Sequence, residues 1–220
     1  MKKNQESLAI AFLGTDGSGK STIIDAIRPY LNQAFDGKFY YEHMRPNKFP
    51  SIARLMGKKE DFITAVTDPH AQKPSGFFGS LFRFSYYYID YTLGYFLKVF
   101  RRKKSESCVW IFDRYYYDYL LDQKRARIHL PQSLIKLGAF FIPKPDIIIC
   151  LGTDAEKIYA RKPEISFQEV EIQVKALKEF SSQNKRAVWI DTGVDIETSK
   201  QACLEHITDF MANRFKHLNQ

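Results

Sequence analysis

Six apolar residues, Leu8 to Leu13, run without a polar interruption into Gly14-Thr15-Asp16-Gly17-Ser18-Gly19-Lys20-Ser21-Thr22. The spacing satisfies GxxxxGK[ST], and its setting is the one that pattern requires. An apolar run without alternation predicts a strand buried on both faces, and Ile23 to Ile27 continue as a helix. Glycines let backbone N–H groups turn inward around a phosphate chain. The helix N-terminus adds partial positive charge. Lys20 can then place its ammonium on β- and γ-phosphate oxygens, and the Ser21 hydroxyl can ligate Mg²⁺. The loop predicts that Gly14, Asp16, Gly17, Ser18, Gly19, Lys20, Ser21 and Thr22 hold a nucleoside triphosphate.

A second constellation is Val109-Trp110-Ile111-Phe112-Asp113-Arg114. Four apolar residues closing on an acid are what a buried strand needs to deliver a carboxylate to the ligand-binding edge of a parallel sheet. Asp113 is expected to converge there with Lys20, holding Mg²⁺ or accepting a proton from an attacking oxygen. Arg114 is expected to stabilise charge on phosphate oxygens. Apolar runs at 39–44, 108–112, 146–151 and 187–190 complete a set of five strands. Helical segments are predicted near 20–34, 77–104, 114–127, 154–161, 168–183 and 196–215. This alternation predicts an α/β fold, a three-layer α/β/α sandwich around a five-stranded parallel sheet. At 220 residues, one domain spanning 1–220 is expected.

The formal charge of +8 suits an anionic partner without choosing among nucleotide, nucleic acid and acidic lipid. Cys108, Cys150 and Cys203 are too few and too widely spaced for a disulfide framework or a zinc site, and read as core thiols of a reducing compartment. Arg83, Asp90 and Lys98 interrupt the longest apolar stretch, and Leu8 to Leu13 lead into a glycine loop rather than a cleavage site, so a cytoplasmic protein is expected. Phe78, Phe82, Ser85, Ile89, Leu93, Phe96 and Phe100 recur at helical steps, which predicts a core or dimer-interface helix. Tyr86, Tyr87, Tyr88 and Tyr91 fall beside that stripe, where a tyrosine such as Tyr87 could stack on an acceptor ring. Arg101-Arg102-Lys103-Lys104 suit the negative end of the helix dipole. Neither nucleic-acid binding nor membrane contact is expected.

A GTP switch is disfavoured, because Asp113 lacks a following Asp-x-x-Gly pattern and Asn184-Lys185-Arg186-Ala187 lacks the acid of a guanine reader. The chain resembles the thymidylate kinase family of P-loop NTPases. The likeness rests on residues 8–22 with Asp16 at the loop's third place, on Asp113-Arg114-Tyr115, on Pro145 to Leu151 followed by Asp154-Ala155-Glu156 and Arg161, and on Ile190-Asp191-Thr192. It implies Mg²⁺-dependent transfer of the ATP γ-phosphoryl to a nucleoside monophosphate resembling dTMP, and a homodimer. It also implies that Asp16 touches the acceptor sugar or its arginine partner and that Arg114 clamps the acceptor phosphate. Arg161 would stand in a lid of about 161–167, and Arg45 would be an acceptor-side arginine. The central helix and the short lid depart from the family pattern. A nucleoside, sugar or other non-nucleotide acceptor is therefore the alternative, with Asp113 as general base. Binding of ATP without transfer is a third reading.

Overall fold

In a computed structural model of the chain, residues 6–50, 52–55, 57 and 76–215 are described. The apolar runs form one sheet: β1 (Leu8–Leu13), β2 (Phe39–His43), β3 (Val109–Asp113), β4 (Ile147–Gly152) and β5 (Ala187–Asp191). All four pairings are parallel, in the order β2-β3-β1-β4-β5. The helices are α1 (Lys20–Ala34), α2 (Ile52–Leu55), α3 (Phe77–Ile89), α4 (Arg101–Ser105), α5 (Asp118–Leu121), α6 (Gln132–Phe141), α7 (Ala155–Arg161), α8 (Phe167–Gln183) and α9 (Ile196–Phe215). The expected three-layer α/β/α sandwich around a five-stranded parallel sheet is present.

β1 lies at the centre of the sheet, flanked by β3 and β4, and all six of its residues are buried. That placement explains its lack of polar alternation. On one face, Leu8, Ile10 and Phe12 meet Ile23, Ile24 and Ile27 of α1 and Cys203 and Ile207 of α9. On the other, Ala9, Ala11, Trp110 and Phe112 meet Phe84, Tyr91, Tyr95 and Val99 together with Tyr115 to Tyr117 and Tyr119. The three cysteines are buried free thiols.

Two predicted helices differ. The segment 77–104 is helical, but Asp90–Phe100 is π-helical between α3 and α4. Its core face is Phe84, Tyr91, Tyr95 and Val99, whereas Phe78, Phe82, Ile89, Leu93, Phe96 and Phe100 are exposed, Phe78 by 83 %. The aromatic stripe therefore does not build this chain's core. Phe78, Phe82 and Ile89 are already exposed in α3, before the π-helical segment begins, so the whole stripe lies on the face turned away from the sheet. The segment 114–127 is mostly irregular, with Arg114 at φ 73° and Arg127 at φ 56°. Only α5 in it is α-helical, and α6 was not predicted. The basic run is pinned rather than merely solvated: Lys103 pairs with Asp146 at 2.7 Å, and Arg102 lies 4.7 Å from the Tyr40 ring centre. Among the described residues, no helix is long and apolar enough to cross a membrane.

Ile27 is fully buried where α1 meets the sheet. Ile27→Ala should therefore cost about 2–5 kcal/mol through lost burial and a residual cavity. The measurement is urea unfolding, with a lower midpoint and an unchanged slope.

Candidate active site

β1 ends at the loop, and α1 begins at Lys20. The Lys20 side chain is folded back into the loop, where Nζ donates to the carbonyls of Gly14 at 2.8 Å and Thr15 at 2.9 Å. Burial, and next the charge of Arg114, lower its pKa to about 7, against the pull of Asp113 and Asp118. Gly17 has φ +82°, and a Cβ there would lie 2.9 Å from the Ile158 carbonyl oxygen and 3.1 Å from Lys162 Cβ. Glycine is what lets the end of α7 rest directly on the loop.

Four buried oxygens here have no hydrogen-bond partner among the described residues: Thr15 Oγ1, Ser18 Oγ, Asp113 Oδ1 and Thr192 Oγ1. Such atoms cost roughly 1–3 kcal/mol each unless a ligand satisfies them. Ser21 and Thr22 stand on the exposed rim of the same loop. The donor set fits a triphosphate and Mg²⁺, which takes one or two protein oxygens and completes its shell with phosphate and water. Among the described residues, no group of three His, Cys, Asp or Glu side chains could bind a metal.

The end of β3 meets this loop. Asp113 Oδ2 accepts from the Tyr41 hydroxyl at 2.8 Å, and burial followed by that bond raises the tyrosine pKa. Arg114 takes a left-handed conformation, φ 73°, and its N–H donates to Phe12 O at 2.8 Å. Its guanidinium reaches Asp16 Oδ1 at 2.7 Å and Asp118 Oδ2 at 3.3 Å. Burial pushes the Asp118 carboxyl up to about 6, with Arg114 and Lys20 opposing. Arg125 pairs with the second oxygen of Asp16 and stands 3.8 Å from Asp122. The structure brings Lys20, Asp16, Asp113 and Arg114 to one edge of the sheet. The sequence missed Tyr41, Asp118 and Arg125, and it also passed over His43, the register partner of Asp113. The one available signal was an acid set in the aromatic run Tyr115-Tyr116-Tyr117-Asp118-Tyr119, since a charge among core aromatics needs a partner.

Arg45 and Tyr87 are brought together, with the guanidinium 5.1 Å from the ring centre. Arg45 is not free, however: it binds fully buried Asp90 at 2.6 Å. Asp90 Oδ1 also accepts the N–H groups of Lys48 and Phe49, and Tyr91 donates its hydroxyl to Met44 O. Tyr91 is fully buried in that role, and the hydroxyls of Tyr86 and Tyr88 serve the carbonyls of Pro50 and Gly138. Arg161 ends α7 and donates to Thr192 O at 2.9 Å. It walls a crevice of about 240 Å³ with Gly19, Thr22, Thr192 and Val194, to the side of the Arg114–Asp16 contact. A larger groove of about 920 Å³ opens at the entry to β4 and β5, beside Asp146, Lys185 and Arg214, away from this chemistry.

The unfolded chain holds the Lys20 proton up to its ordinary value of 10.5, whereas the folded chain releases it near 7. Between those values the unfolded state binds more protons, so this residue makes stability rise with pH. Lys20→Met lacks that contribution. Wild type should gain on the variant in paired thermal melts between pH 7 and 10, and a constant difference would contradict the buried-lysine assignment.

No family model matches the chain, and no curated protein matches its sequence. Solved structures do match its shape. A thymidylate kinase from Ehrlichia chaffeensis aligns with TM-score 0.62 and 16% identity, covering 92% of this chain and 99% of that one. A thymidylate kinase from Candida albicans aligns with TM-score 0.61 and 17% identity, over 93% and 92% of the two chains. The chain has the fold of the thymidylate kinases.

Proposed function

We propose that this chain, acting as a single kinase domain over 1–220, transfers the γ-phosphoryl of ATP to a small acceptor. The observation that carries this reading is the 2.7 Å contact of Arg114 with Asp16, which joins the end of β3 to the loop that carries Lys20. Lys20 would exchange its two carbonyl partners for β- and γ-phosphate oxygens. Ser21 and Asp113 would hold Mg²⁺, which when bound neutralises charge between those phosphates. The crevice beside Arg161 would receive the donor base, and residues 161–167 would form the lid that excludes water. Arg114 would stabilise charge where the transferred group meets the acceptor. A nucleoside monophosphate is the acceptor suggested by the thymidylate kinases of like fold, with Tyr87 beside it. The exposed aromatic stripe of α3 and the π-helical segment would be the homodimer face.

The second acceptor class, a compound without a phosphate of its own, is favoured by the carboxylate partners of Arg45 and Arg114. Under either acceptor, Lys20→Ala should lower Mg-ATP turnover by about 10²-fold or more. The variant should keep its far-UV circular dichroism, because Lys20 is costly to bury. Unchanged turnover would refute the assignment.

A further inference from the structure

We propose that Tyr41 is a positioning residue whose hydroxyl fastens one oxygen of Asp113 and keeps the other available to nucleotide-bound Mg²⁺. This rests on the phosphotransfer reading and adds to it a residue outside the loop and β3. Side chains alternate along β2, so Phe39, Tyr41 and His43 share one face. In register these three pair with Val109, Ile111 and Asp113. Tyr41 therefore stands one step behind Asp113 on the neighbouring strand, and its ring carries the hydroxyl forward to Oδ2, 2.8 Å away. The guanidinium of Arg28, on α1, lies 5.7 Å from the ring centre and is itself paired with Asp25 at 3.3 Å. The ring is thus braced from α1 while its hydroxyl serves β3. Tyr40 turns the other way and donates to Glu106.

The two oxygens of Asp113 differ. The residue is 6 % exposed; Tyr41 satisfies Oδ2, and Oδ1 has no hydrogen-bond partner among the described residues. A buried oxygen in that condition costs free energy until a ligand meets it. Lys20 and His43 both feel the charge of this carboxylate, and Arg114 beside it is engaged by Asp16 and Asp118. Without the tyrosine bond the carboxylate could rotate toward Lys20, and acid and ammonium would satisfy each other instead of the metal and the phosphates. A neutral hydroxyl donor prevents this, because it fixes the orientation of the acid without neutralising it.

ADP with and without Mg²⁺ tests the idea without knowledge of the acceptor. In calorimetry, wild type should bind ADP more tightly in excess Mg²⁺ than in EDTA. Tyr41→Phe removes one oxygen and leaves the ring beside Arg28, so the fold is kept. In EDTA the variant should bind ADP within about twofold of wild type, and with Mg²⁺ it should lose at least about threefold in affinity. Asp113→Asn should show the same Mg²⁺-dependent loss, and adding Tyr41→Phe to it should remove nothing further, because the hydroxyl acts through that acid. A smaller loss in Tyr41→Phe, an equal loss with and without Mg²⁺, or a full Tyr41→Phe effect in the Asp113→Asn background overturns the inference. So does an Asp113→Asn variant that keeps its Mg²⁺ gain, or a wild type that Mg²⁺ does not help. In each of those cases ADP binding leaves the phosphotransfer reading standing. A wild type that binds no ADP strikes that reading itself, and the role of Tyr41 falls with it.

Discussion

A guanidinium held between two carboxylates joins the end of β3 to the phosphate loop. Asp16 and Arg114 are 98 residues apart, and they meet because β1 and β3 are adjacent parallel strands ending at the same edge. The chain accepts a left-handed backbone at Arg114 to aim the side chain back over the loop. A non-glycine residue in that region costs on the order of 1–3 kcal/mol, and such strain persists only where neighbours over-determine it. Here they do so through the N–H bond to Phe12 and the two carboxylates. Asp118 depends on the same contact, since a carboxylate that deep is tolerable only beside a cation.

The site gathers several unfavourable features within a short distance. A lysine is buried against carbonyls, four buried oxygens lack partners among the described residues, and an arginine sits at positive φ. The supporting stability comes from the layers around it. β1 is covered on both faces, and an aromatic cluster containing Phe84, Tyr91, Tyr115, Tyr116 and Tyr119 packs in edge-on contacts against one of them. This division between a well-packed scaffold and a locally strained edge lets charged groups stand in place without reorganising.

What was legible in the amino-acid order was local. β1, the loop and the start of α1 follow one another without a break, so a single stretch of residues carries strand, turn and helix signals together. β3 with Asp113-Arg114 was readable for the same reason, and the parallel sheet followed from the alternation of runs. The features that escaped depend on partners distant in sequence. Nothing near Arg125 announces that it will reach Asp16, and nothing near Arg45 announces Asp90. Arg114 and Arg127 break the expected helix by adopting positive φ, a conformation whose usual marker, glycine, is missing there. The aromatic stripe was correct in its period, but of its two expected settings, core or dimer interface, the core is not the one found, because a period marks a helix face without saying what covers it.

The π-helical segment shapes the wall around Arg45 and Tyr87. It begins at Asp90, and Gly94 leaves room for the Asp90 carboxylate, with which a Cβ at that position would collide. Thus accommodated, the carboxylate turns toward β2's following loop and fastens Arg45, Lys48 and Phe49 at once. Lys98, two turns further on, takes the Pro46 carbonyl and Glu42. A buried ion pair of this kind adds little net stability, but losing one partner is expensive, so it fixes orientation more than it deepens the fold. The consequence is a wall on which Tyr87 lies against a guanidinium that Asp90 holds in place.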